Sequence, residues 1–155
     1  MRWIILLGLP ILIGMGILMS IPNVSKKVSV GNLDVLEPTP ILSFEPFSAK
    51  FEITTLGTKR VFSDSKYHNR SSKVYITATD PSVITISEPH ITWQQFFDTM
   101  PSPMKVEPNC LYTGTSQKFC TNQTHELKFI LNGEASTDAL TQEISPDDFL
   151  VINYE

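Results

Sequence analysis

Two cysteines, three histidines and one adjacent acidic pair are the residues whose spacing decides what chemistry this chain can offer. Cys110 and Cys120 enclose nine residues, a spacing that fits neither a zinc knuckle nor a C-x-x-C redox motif. Gly114-Thr115 lies between them and is suited to turn the chain, so a disulfide across a hairpin is expected. Closing so small a loop contributes roughly 2–3 kcal/mol through the entropy of the unfolded chain. The alternative is a soft-metal site built from both thiolates with His125 nearby. His68, His90 and His125 are not paired at i+2 or i+4, and each falls near a turn or strand boundary, so exposed, functionally silent side chains are expected. Asp147-Asp148 lacks the further spaced oxygen ligands that a calcium site needs and follows Pro146, which reads as a turn closing the last hairpin. Hydroxyl groups are plentiful, but no G-x-S-x-G or other activated arrangement is present. No catalytic, cofactor-binding or metal-binding residue is therefore assigned, no cofactor is expected, and the expectation is a protein that is not an enzyme.

The compartment follows from the N-terminal residues. Trp3 to Ile21 is a run of 19 residues without a charge, flanked by Arg2 on one side and Lys26 and Lys27 on the other. As a helix it reaches roughly 28 Å, close to the ~30 Å hydrocarbon core of a bilayer. The apolar region of a cleaved signal peptide is shorter and ends at a small-x-small site, whereas this run exits through Leu18-Met19-Ser20-Ile21-Pro22. A retained anchor that meets lipid through residues 3–21 is expected. Flanking charge does not orient it. An even cysteine count and three N-x-S/T acceptors, Asn23, Asn69 and Asn122, do, because oxidised cysteines and glycans belong outside the cytoplasmic membrane. The expected organisation is an anchor at 1–22, a proline-rich tether at 23–47 and an extracytoplasmic domain at 48–155, with the N-terminus inside.

Short strand patterns fill that domain. Phe51–Thr55, Lys73–Ala78 and Val83–Ser87 alternate and are rich in Val, Ile, Thr and aromatic residues. One helix follows. Thr92 and Gln95 form a capping box, Ile91 and Phe96 a hydrophobic staple, and Trp93, Phe96, Phe97 and Met100 one apolar face that Pro101 ends. Such a face is expected to pack on a sheet, the rarer alternative being a ligand box. After the cysteine hairpin, Leu127–Leu131 runs into the turn dipeptide Asn132-Gly133, and Phe149–Tyr154 closes the chain. The expected fold class is α+β: an N-terminal transmembrane helix followed by a small mixed β-sheet domain with one helix, β-grasp-like. A β-sandwich is the runner-up, which the well-capped helix disfavours.

Charge narrows the function. From Val28 onward nine basic residues stand against sixteen acidic ones, a net charge of −7, and nucleic acid is excluded as a partner because a phosphate backbone needs a basic face. Seven acids against the single base Lys128 from Glu126 to Glu155 mark an acidic end.

The segments Val83-Ile84-Thr85-Ile86-Ser87-Glu88-Pro89 and Ile91–Asp98, with Leu127–Gly133 and Ser145–Tyr154, resemble motifs of a loosely defined family of small membrane-anchored proteins of archaea and some bacteria. The matching motifs are an IxIxSP run, an FFD helix and a VNG…DGDxIxIxY ending. The resemblance spans residues 73–155, and its motifs are structural ones. Members of that family often carry H-x-H pairs on early strands, where two imidazoles share one strand face and suit copper or zinc. Here Tyr75–Asp80 and Ser48–Phe51 hold no histidine, so no metal ligand is carried over. The expected function is that of a single-span extracytoplasmic interaction domain, a non-catalytic accessory subunit with protein partners in a larger membrane complex. By association with the archaeal resemblance, a membrane oxidoreductase such as an ammonia monooxygenase is a candidate host. The alternative is an envelope ligand- or metal-binding module.

Overall fold

The computed structural model describes residues 43–155. The expected anchor, the tether before Ser43 and the acceptor Asn23 lie outside them. Among the described residues no helix is long and apolar enough to cross a membrane.

In chain order the elements are β1 (Phe47–Thr55), β2 (Thr58–Lys59), β3 (Val74–Ile76), β4 (Val83–Ile86), α1 (Trp93–Asp98), β5 (Lys105–Glu107), β6 (Cys110–Tyr112), β7 (Lys118–Cys120), β8 (Leu127–Leu131), β9 (Glu134–Ala135) and β10 (Phe149–Tyr154). Short 3₁₀ turns lie at Ser65–Tyr67 and Ala139–Thr141. The protein is thus α+β, with one mixed sheet in the order β3-β4-β1-β10-β8-β9, β2 pairing with β1, and a second, three-stranded sheet β5-β6-β7. β1 and β10, the first and last strands, run parallel side by side, with Phe51 opposite Leu150 and Ile53 opposite Ile152. Their outer neighbours are antiparallel.

Alternation decides what each strand buries. Ala49, Phe51 and Ile53 of β1, Ile84 and Ile86 of β4, and Leu150 and Ile152 of β10 point to one face and are buried. Over that face lies α1, and Trp93, Phe96, Phe97 and Met100 are buried with it, so the apolar helical stripe packs as core. Phe51 meets Phe96 and Phe97 with ring centroids 5.1 and 6.0 Å apart, both edge-on, the arrangement aromatic quadrupoles favour. The capping box closes as its spacing requires. The Gln95 N–H donates to Thr92 Oγ1 at 3.2 Å, and the Thr92 N–H donates to Gln95 Oε1 at 2.8 Å. Val106 and Leu111 of the small sheet complete the core. Trp93 Nε1 is buried without a hydrogen-bond partner among the described residues, and the burial of its ring has to offset that desolvation.

The structure corrects several expectations. β2, β5 and β9 are additional strands, each two or three residues long and too short for alternation to reveal. β1 begins at Phe47, and Phe44 also packs against the core, so ordered packing reaches into the segment assigned to the tether. Asp147-Asp148 does not close a hairpin. β8 and β10 are joined through β9 and the 3₁₀ turn, and the acidic pair instead forms the corner that starts β10. Asp147 adopts φ 65° and its N–H donates to Ser48 O at 3.0 Å. The buried Asp148 carboxylate accepts from the Ser145 N–H and from Asn132 Nδ2, both at 2.8 Å.

Two tight hairpins have both turn residues at positive φ, as their strand twist demands. Asn132-Gly133 (φ 55° and 88°) suits that geometry, whereas Leu56-Gly57 (φ 48° and 73°) places a leucine, 56% exposed, in the left-handed region. A leucine there costs roughly 1 kcal/mol, which asparagine largely avoids. Leu56→Asn is therefore expected to stabilise the domain by about 0.5–1 kcal/mol, read as a higher denaturation midpoint with unchanged slope.

Candidate functional site

The cysteines are joined as expected. Cys110 and Cys120 face each other directly in the β6–β7 register, and a disulfide links them. The hairpin turn holds its shape through hydroxyls: Thr113 Oγ1 accepts from the Gln117 N–H at 3.2 Å and shares a 2.9 Å hydrogen bond with Thr115 Oγ1.

The histidines go to three separate places. His68 Nε2 lies 2.9 Å from the Phe62 carbonyl at the end of the first 3₁₀ turn. His90 sits at φ 60° and is exposed; its N–H donates to Glu143 Oε1 at 2.9 Å and its Nδ1 lies 3.1 Å from Oε2. His125 stacks on Tyr154 at 5.5 Å with the rings 15° from parallel. Two of the three are therefore half-buried with defined partners, against the expectation of exposed side chains, because strand ends in so small a domain are also packing positions. Among the described residues no group of three or more His, Cys, Asp or Glu side chains converges.

The acceptor asparagines differ from each other. Asn69 is exposed in a turn at φ 51°. Asn122 has its amide committed: Nδ2 donates to Cys120 O at 3.2 Å and to Tyr154 Oη at 3.1 Å, and Oδ1 accepts from Thr124 and the His125 N–H. Tyr154 Oη also donates to Cys120 O at 3.2 Å, so the last strand is clamped to the disulfide hairpin. A glycan on Asn122 would leave one N–H for the two acceptors now served.

What alternation alone could not reveal is the second face of the large sheet. Its positions are Tyr75, Val83, Thr85, Ser48, Lys50, Glu52, Thr54, Phe149, Val151, Asn153, Lys128 and Ile130, and none of them is buried. Register places Val83 beside Lys50 and Lys50 beside Phe149, then Glu52 beside Val151 and Val151 beside Ile130. Phe149, Val151 and Ile130 thus form an apolar band over β10 and β8, with Phe149 41% exposed and the other two half-buried, while Val83 on β4 is separated from them by Lys50. Lys50, Glu52 and Lys128 border the band. The sequence signal was the unbroken apolar run Phe149–Ile152, which puts apolar side chains on both faces of one strand.

Charged groups elsewhere are tuned only locally. Hydrogen bonds from the Ser136 hydroxyl (2.8 Å) and the Gln142 amide (2.9 Å) hold the Asp138 carboxyl below the usual range. A hydrogen bond from Lys128, and its charge, do the same to Glu155 and raise Lys128 in return.

No family model matches the chain, and no curated protein or solved structure matches it either.

Two outcomes are expected of these local structures. Reducing the disulfide should lower stability by about 2–3 kcal/mol, seen as an earlier denaturation midpoint in reductant. Ser136→Ala should raise the Asp138 pKa toward the ordinary carboxylate value, read from its carboxyl carbon by NMR across acid pH. Because that pKa is depressed in the fold, its contribution to stability is present above the ordinary value and is lost as pH falls through the folded one.

Proposed function

We propose that this chain is a single-span, membrane-anchored accessory subunit whose extracytoplasmic domain binds protein partners in a larger membrane complex. The observation that carries the reading is the sheet face that no other described residue covers. It has an apolar band, Phe149, Val151 and Ile130, bordered by Lys50, Glu52 and Lys128. An apolar centre with a charged rim is the anatomy of a protein interface, and a domain of this size leaves such a band uncovered at the cost of solubility unless a partner covers it. The disulfide supports an extracytoplasmic location, since it persists only where the environment is oxidising. The uncharged run Trp3–Ile21 supports the anchor. A β-grasp arrangement is supported by the central parallel pairing of the first and last strands with antiparallel neighbours and one helix between the halves. The family resemblance of residues 73–155 belongs to the same proposal.

Mild detergent extraction followed by native electrophoresis and mass spectrometry of the band tests the reading. Migration with stoichiometric partners is expected, and migration near the chain's own mass plus detergent overturns it. Phe149→Asp should release those partners at a cost to stability of about 1–2 kcal/mol, because the ring is 41% exposed and gives up only part of a full burial.

A further inference from the structure

On the other side of the domain a cavity of about 220 Å³ opens between the β1–β2 hairpin, with the segment that follows it, and the disulfide hairpin. Its apolar wall is Ile53, Phe62, Met104 and Leu111, all buried. Val61, 67% exposed, stands at its mouth. Two cationic residues, Lys59 and Arg60, line it and no acidic one does, within a chain of net charge −4.

Two polar groups at this cavity keep bonding capacity that the described residues leave unused. Tyr67 is only 8% exposed, but its hydroxyl is not fully buried and makes no hydrogen bond among the described residues, so it meets open space at the cavity. It presses so closely on Gly114, also in the wall, that a Cβ at that position would lie 1.8 Å from Tyr67 Oη. Glycine is needed there for space. The second group is the half-buried Arg60. Its Nε donates to Thr55 Oγ1 at 2.7 Å, its Nη1 donates to Gln117 Oε1 at 3.1 Å, and its guanidinium lies 5.3 Å from the centre of the Phe119 ring. These acceptors are neutral, so among the described residues its charge is oriented but has no ionic partner. Lys59 differs, since it is paired with Glu52 at 2.7 Å.

We propose that this cavity binds a small organic carboxylate with a single apolar body, of the size of benzoate or a branched short-chain acid. The carboxylate compensates Arg60 and accepts from the Tyr67 hydroxyl, and the apolar body lies against Ile53, Phe62, Met104 and Leu111. The volume sets the size class, because a cavity of roughly 150 Å³ holds benzene and pockets for larger ligands begin near 300 Å³. A planar guanidinium sets the anion, since it binds carboxylate by charge-assisted hydrogen bonds. The site does not depend on the sheet face opposite or on any protein partner.

The test is calorimetric titration of the full chain in detergent with benzoate and with 3-methylbutanoate, against the neutral analogue benzamide. Saturable one-to-one binding of at least one acid is expected, with benzamide weaker by at least about tenfold. Arg60→Gln should weaken the acid by a similar factor. Tyr67→Phe should weaken it by at least about threefold while leaving the thermal midpoint unchanged, because the hydroxyl it removes makes no hydrogen bond among the described residues. That variant keeps the test decisive if Arg60→Gln perturbs folding. Absence of saturable binding for both acids, equal binding of benzoate and benzamide, or unaltered affinity in Tyr67→Phe overturns the assignment.

Discussion

The parallel pairing of β1 with β10 is the constraint on which the rest of this domain depends. It joins residues about a hundred positions apart, so its loop-closure cost is met only when a large apolar surface is buried with it. Phe51, Ile53, Leu150 and Ile152, at or near zero exposure, provide that surface. Each outer strand then adds to an edge that the central pair has already made. The corner at Asp147-Asp148 and the Tyr154 clamp on the disulfide hairpin hold the two ends of β10 in register.

The same pairing divides the domain into two unlike sides. On the inner side the aromatic helix and the small sheet cover the core, and where the disulfide hairpin leans over the β1–β2 turn they leave a cavity with a cationic, hydroxyl-bearing wall. On the outer side no other described residue is stacked, and an apolar band on β10 and β8 lies between charged residues. A disulfide within one hairpin, closing ten positions of sequence, is an economical way to stiffen the inner layer in a domain whose helix has only six residues. These two surfaces differ in the partner they can take. The band offers area without enclosure, which suits another protein, while the cavity offers enclosure and one uncompensated charge, which suits a small anion.

Much of the local structure was legible in the residues. Thr92, Gln95, Ile91 and Phe96 specify the helix start because cap and staple act within four positions. Asn132-Gly133 specifies a turn because few residues tolerate positive φ. Cys110 and Cys120 lie across a short hairpin whose turn sits where Gly114-Thr115 predicts it. Less was legible where packing adjusts the backbone. Two-residue strands carry no period, and His125 acquires a partner, Tyr154, on the last strand.

By itself, then, the sequence determined the α+β class, the capped helix, the disulfide hairpin and the alternation that gives each strand a core side. All of these rest on interactions between residues close along the chain. Only the tertiary structure decided that β1 and β10 lie together, that no other described residue covers the outer face of the sheet, and that Arg60, Tyr67 and Gly114 share one cavity wall. The physical reason is range. Caps, turns and periodicity act over a few residues, whereas strand order and the neighbours of a buried side chain follow from how distant segments exclude water together.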